Sequence, residues 1–356
     1  MSTQNVGNEE NATSKSKRPS DSAFKQQRLP AWQPVLTART VLPTFFVIGT
    51  LFIPIGVVLL HFSNTAKEVV VDYTQCSQVG SSQTCAEFLK NNTGGRCLCD
   101  QEFDLPVDFI GDVYMYYGLT NYYQNHRRYV KSRDDEQLLG RLSTTPSSDC
   151  APFAYAVDGK PIAPCGAIAN SLFNDSMKLS LNGEEFQLLN TGIAWPSDKR
   201  IKFRNPDGNL SKALNGYSQP PFWQKKLDEL DPTNEDNNGF QNEDLIVWMR
   251  TAALPSFRKL YRRLNQTNTP YAKGLKAGTY KLHIDYNYPV VSFDGTKRMI
   301  LSTTSVLGGK NPFLGIAYIV VGAICVTLGL ALLFIHMRCS RSNMEMINVN
   351  PHTQYS

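Results

Sequence analysis

A chain of 356 residues with 42% hydrophobic and 19% charged content has room for one or two domains. Its net charge of +5 divides unevenly: residues 1–39 carry +3, the stretch from His336 onward +1, and everything between them only +1. A central region that close to neutral lacks the basic footprint of a nucleic-acid binder, so the excess is read as a membrane-topology signal.

Residues 1–23 are polar and rich in Ser, Asn and Lys, a composition that predicts disorder. The segment from Phe24 to Pro34 breaks that character with Phe24, Lys25, Arg28, Pro30 and Trp32. It reads either as a headgroup-level anchor or as an ordered protein contact. Val41–Leu60 follows, about 20 residues without a formal charge, long enough to cross a bilayer as a helix. A long polar segment precedes it, so it does not sit where a cleaved signal peptide would. Lys15, Lys17, Arg18, Lys25, Arg28 and Arg39 lie on its N-terminal side, which predicts an uncleaved signal-anchor with its N-terminus in the cytosol. Pro54 removes a backbone donor beside Gly49 and Gly56 and predicts a kink.

The region beyond reads as mainly β. Lys67–Tyr73, Val113–Tyr117, Tyr280–Tyr288 and Arg298–Val306 are strand-like, and Leu282, Ile284, Tyr286 and Tyr288 alternate onto one face. Asp158-Gly159, Asn182-Gly183, Asn238-Gly239 and Asp294-Gly295 punctuate it as turns. Two helices are expected. Asn242 caps one running to Ala253, and Phe257, Leu260, Tyr261 and Leu264 follow helical spacing in the other. The basic residues opposite them read as a solvated face or as a contact for an acidic partner. Pro312–Ile335 is a second uncharged span, with His336, Arg338 and Arg341 directly after it. Gly315, Gly322 and Gly329 recur every seven residues on it, a stripe on which another protein helix can approach closely.

The expected organisation is therefore a cytosolic segment (1–39), a span (40–62), an exoplasmic ectodomain (63–311), a second span (312–335) and a cytosolic tail (336–356). Cys76, Cys85, Cys97, Cys99, Cys150 and Cys165 all fall in the ectodomain, while Cys325 and Cys339 do not and are expected to be free. Adjacent-but-one Cys97 and Cys99 are poorly placed to join each other and should reach back to Cys76 and Cys85, in nested or crossed order. Cys150 and Cys165 then close a short loop. A zinc site is the rival reading, but no histidine is suitably spaced and the compartment is oxidising. Sequons at Asn91, Asn174, Asn209 and Asn265 lie on the same side, while the one at Asn11 lies on the cytosolic side.

Motifs for catalysis are missing: there is no G-x-S-x-G, no H-E-x-x-H and no phosphate-binding loop around Gly308-Gly309-Lys310. Asp294-Gly-Thr-Lys297 lacks the residue order of a phosphorylated-aspartate loop. Neither span holds a charge to line a transport path. No cofactor or metal is expected.

Longer strings are more specific. Phe24-Lys-Gln-Gln-Arg-Leu-Pro30, Tyr116-Tyr-Gly-Leu-Thr-Asn-Tyr-Tyr-Gln-Asn-His-Arg-Arg-Tyr129, Pro161-Ile-Ala-Pro-Cys165, Asn237-Asn-Gly-Phe-Gln-Asn-Glu-Asp244, Val247-Trp-Met-Arg-Thr-Ala-Ala253 and Tyr286-Asn-Tyr-Pro289 are among them. Through these the chain resembles the cell-division-cycle-fifty (transmembrane-protein-thirty) family, its A-type members most of all. The resemblance runs from Phe24 to about Gly322. It implies a two-span protein with a large, mainly β, antiparallel sandwich-like, glycosylated and disulfide-bonded ectodomain carrying short helices. It further implies pairings Cys76–Cys99, Cys85–Cys97 and Cys150–Cys165. The implied role is that of the non-catalytic β-subunit of a type-IV P-type ATPase, a phospholipid flippase, working between endoplasmic reticulum, Golgi and plasma membrane. Partner contacts are expected at Phe24, Arg28, Trp32, Pro54 and the glycine stripe. A free-standing surface receptor or adhesion protein is the alternative. Two departures stand out: Trp195-Pro-Ser-Asp198 replaces the family's usual Trp-Trp-Thr-Asp, and His283-Ile-Asp285 stands where a sequon is common.

Overall fold

An apolar segment in lipid must satisfy its backbone internally, and a helix does so. In the computed structural model, which describes residues 20–29, 37–92, 95–267 and 269–347 with side chains to Cys339, two helices meet that demand. They are Ala38–Thr65, which continues through Pro54, and Phe313–Ile347, whose part Phe313–Cys339 is long and apolar enough to span. The chain divides into two compact units, Met1–Ile53 with Val320–Ser356, and Pro54–Ile319.

The second unit contains the strands: β1 Glu68–Asp72, β2 Cys97–Leu105, β3 Phe109–Ile110, β4 Val113–Leu119, β5 Ser176–Leu181, β6 Glu184–Glu185, β7 Leu188–Leu189, β8 Phe257–Leu264, β9 Gly274–Leu275, β10 Gly278–Tyr286 and β11 Lys297–Thr303. One antiparallel sheet has the order β1-β11-β4-β8-β7, a second β2-β10-β5-β6, and β3 pairs with β9 alone. β10 shows why the pattern folds this way. Tyr280, Leu282, Ile284 and Tyr286 are buried while their neighbours are not, the period of two that a half-buried strand requires. Residues from both sheets join one hydrophobic cluster, with the Tyr117 ring stacked 4.0 Å from Phe173 and Trp248 fully buried nearby.

Three disulfides, Cys76–Cys99, Cys85–Cys97 and Cys150–Cys165, reinforce this unit. Cys97 and Cys99 are two apart on β2 and therefore share a face, so both can reach the segment 76–85. With all six cysteines bonded to one another, the zinc reading falls. Cys325 and Cys339 are free.

Three expectations are corrected. Phe257–Leu264 is strand β8, not a helix. Its buried residues are Lys259, Tyr261 and Leu264, and the register against β4 shifts between Met115 and Tyr116. That bulge breaks the strand's alternation, and together with the buried lysine it imitates a helical stripe. The helix capped by Asn242 stops at Met249 rather than Ala253. The last strand ends at Thr303, short of Val306.

Candidate partner-binding site

Glycine has no Cβ, so a helix carrying it lets a neighbouring backbone come close. Gly49, Gly56, Gly315, Gly322 and Gly329 are all buried. In the unit Pro54–Ile319, a Cβ on Gly315 would stand 2.8 Å from the Leu60 amide nitrogen and 3.0 Å from the Gly56 carbonyl oxygen. One on Gly56 would stand 2.8 Å from the Gly315 oxygen. In the other unit, a Cβ on Gly322 would meet Ile53 Cγ1 at 2.8 Å, and one on Gly49 the Gly322 oxygen at 3.0 Å. Gly329 faces the Phe46 ring at 3.2 Å. The stripe expected to receive a partner's helix is thus occupied by the chain's own first helix. Glycines on both helices interlock there. Other faces stay open: Val47, Leu51, Ile55 and Val58 on the first helix and Val320, Ile324 and Leu328 on the second are exposed.

The ectodomain is held by buried charges. Lys297 at the start of β11 and Asp175 just before β5 meet at 2.6 Å with both side chains fully buried, so the pair links the two sheets. The other donors around Asp175 are Tyr73 Oη at 3.0 Å and the amides of Asn287 and Tyr288, each at 2.6 Å. Lys297 Nζ also donates to the Tyr288 carbonyl at 2.7 Å and lies 3.1 Å from the Tyr286 ring centroid. Such saturation is what makes a buried pair tolerable. Burial still pushes Lys297 down to about 8, against the pull of Asp175, and pushes the Tyr73 hydroxyl well up.

A second buried lysine caps a helix. Lys259 Nζ donates to the carbonyls of Val247, Trp248 and Arg250 at 3.1, 2.7 and 2.6 Å, satisfying the C-terminal end of helix Glu243–Met249. Burial pushes it down to about 7. At the other end Asn242 accepts from the Leu245 amide at 3.1 Å. Glu243 there accepts from the Ile193 and Ala194 amides and from Lys199. The Arg250 guanidinium pairs with Asp198, holding that carboxyl below its ordinary range, and lies 5.0 Å over Trp195. These charges act as clamps between segments. Among the described residues no group of three His, Cys, Asp or Glu could hold a metal.

Phe24 is 76% exposed; Arg28 follows the turn over residues 23–27, its amide donating to the Ala23 carbonyl at 2.8 Å and its guanidinium 3.8 Å from Asp21. Trp32 lies outside the described residues. Pro54 is exposed on the first helix. Asn91 and Asn209 are exposed, while Asn174 and Asn265 are half-buried. Asn209 caps a short helix through its oxygen, and Asn265 Nδ2 donates to Gln187 at 2.7 Å. The sequence reading overlooked the Asp175–Lys297 pair, the Lys259 cap and the part played by Gly49 and Gly56. The seven-residue spacing of those two glycines matches the stripe on the second span and was the available signal.

The family model for the LEM3 (ligand-effect modulator 3) family / CDC50 family matches residues 59–342. Cell cycle control protein 50A of Mus musculus is 54% identical over 340 residues, covering 92% of this chain and 92% of its own. Cell cycle control protein 50B of Homo sapiens is 49% identical over 333 residues, 90% of this chain and 94% of its own. ALA-interacting subunit 3 of Arabidopsis thaliana is 41% identical over 336 residues, 93% of this chain and 90% of its own.

Proposed function

The chain belongs to the LEM3/CDC50 family, and from that premise we propose that it is the accessory, non-catalytic β-subunit of a type-IV P-type ATPase that translocates phospholipids. In this reading it assembles as a heterodimer with the catalytic α-subunit, carries it out of the endoplasmic reticulum and keeps it active. The α-subunit supplies ATP hydrolysis and moves aminophospholipids from the exoplasmic to the cytosolic leaflet. The observation that carries the proposal is likeness along nearly the whole chain, both spans included, to relatives of which the Arabidopsis protein is named an interacting subunit.

Both termini lie in the cytosol, and the ectodomain faces the lumen or the cell exterior with glycans on Asn91, Asn174, Asn209 and Asn265. The complex resides in endoplasmic reticulum, Golgi and plasma membrane. Since the glycines are engaged within the chain, the α-subunit's helices are received by the exposed apolar faces and by Pro54. Phe24, Arg28 and Trp32 add a contact at the cytosolic surface. Lipid asymmetry tests the reading. Cells lacking the chain should expose phosphatidylserine and take up a fluorescent aminophospholipid more slowly. Unchanged asymmetry and uptake would favour a free-standing receptor instead.

A further inference from the structure

The connection from β11 into the second span carries a feature that neither element requires. The Ser305 amide donates to the Gly308 carbonyl at 2.7 Å and the Gly308 amide to the Ser305 carbonyl at 2.9 Å, closing a tight turn. At its tip Val306 is 89% exposed and Leu307 57% exposed. Tight turns favour Gly, Asn, Asp, Ser and Pro, for reasons of backbone geometry. Two aliphatic side chains held out at a tip contribute nothing to such a turn and are unfavourable in water.

The position of the tip is constrained from both ends. The Lys67 amide donates to Thr303 Oγ1 at 2.9 Å and the Thr303 amide to the Lys67 carbonyl at 2.9 Å. The Asn311 amide donates to Ser63 Oγ at 2.9 Å, in the last turn of helix Ala38–Thr65. The whole connection is therefore pinned where the first span leaves the membrane. Phe313, opening the second span, is 75% exposed. Lys67 and Lys310 are exposed on either side and form no ion pair among the described residues. Apolar groups with an aromatic and lysines at the end of a span are the composition of an interfacial anchor.

We infer that the Val306–Leu307 turn contacts the membrane itself, its two side chains seated at the boundary of headgroups and acyl chains in the leaflet on the ectodomain's side. Lys67 and Lys310 then face lipid phosphates. A lipid surface is the occupant because the turn is tied to a span's exit, where lipid is the medium. The finger fixes the connection at a set depth and so steadies the entry into the second span.

The test uses the full chain with its bound partners in nanodiscs of phosphatidylcholine and phosphatidylserine. Cys325→Ser and Cys339→Ser remove the free thiols, and Val306→Cys or Leu307→Cys takes a nitrobenzoxadiazole label. Val157→Cys, at a fully exposed ectodomain position, is the reference. Nitroxide lipids labelled at the headgroup or upper acyl chain should quench positions 306 and 307 severalfold more than 157, and aqueous iodide severalfold less. Equal iodide quenching at all three positions would put the turn in water and overturn the inference. Protection of 306 and 307 from both quenchers would put protein over the turn and overturn it as well.

Discussion

Alanine at Gly315 tests whether the glycine seam is intramolecular. The new methyl would stand 2.8 Å from the Leu60 nitrogen and 3.0 Å from both the Gly56 oxygen and Leu60 Cα. All three are backbone atoms that cannot rotate away, whereas ordinary contact lies near ~3.5–4.0 Å. The helices must separate by roughly 0.5–1 Å, which forfeits a quarter to a half of each contact along the seam. Overpacking of this kind costs about 1–3 kcal/mol, and the better helix propensity of alanine returns up to ~1 kcal/mol. A net loss of about 1–2 kcal/mol corresponds to a fall in melting temperature of roughly 2–8 °C for a domain of this size. Gly329→Ala is the built-in contrast. Its nearest neighbours are Phe46 ring atoms at 3.2 and 3.3 Å, which can swing aside, so stability should hold or rise slightly. The assay heats the purified full chain in detergent, with no other protein present, and follows the monodisperse fraction by size-exclusion chromatography. Gly315→Ala and Gly56→Ala should each melt early, and the double variant should lose less than their sum, because one separation of the helices accommodates both new methyls. Normal melting of Gly315→Ala in the isolated chain, with defects only once a partner is added, would refute the seam.

Asn242→Ala should destabilise the ectodomain by about 1 kcal/mol through loss of the cap on Leu245, read as a lower denaturation midpoint. Joint replacement Cys150→Ser and Cys165→Ser opens a loop of sequence separation 15 and should cost about 3 kcal/mol. Early protease cleavage within 150–165 would report it, and unchanged resistance would count against it. Stability should also depend on pH. Lys259, pushed down to about 7, and Lys297, pushed down to about 8, release protons in the folded chain before the unfolded chain does. Between pH about 7 and 10 the unfolded chain holds more protons, so stability rises with pH across that window. Buried tyrosines such as Tyr73 and Tyr117, pushed well up, reverse the slope above about pH 10. A melting temperature that falls between pH about 7 and 9 would contradict the assignment of these lysines.

What could be read from the chain follows from how strictly each environment constrains composition. Lipid forbids charge, so Val41–Leu60 and Pro312–Ile335 announce themselves; the first lies inside one long helix and the second, from Phe313 onward, inside the other. β10 has one face in the core and one outside, and its alternation survives in Tyr280, Leu282, Ile284 and Tyr286. β8 hid because its inward positions include Lys259, whose charge suggests an exposed face until its three carbonyl partners are known. β2 is spaced by two cysteines and carries Asp100, Glu102 and Asp104 on its other face, so it offered no aliphatic run. Asp175 and Lys297 lie 122 residues apart, and only the meeting of two sheets makes them neighbours. The glycine stripe was legible as a packing surface. Which helix filled it depended on the second set of glycines at Gly49 and Gly56.

Gentle solubilisation from native membranes, affinity capture of the full chain and identification of what co-elutes test the central claim most directly. A P-type ATPase should elute with it in near-equal amount through a size-exclusion step. Elution of the chain alone, or with partners that include no P-type ATPase, would contradict the account.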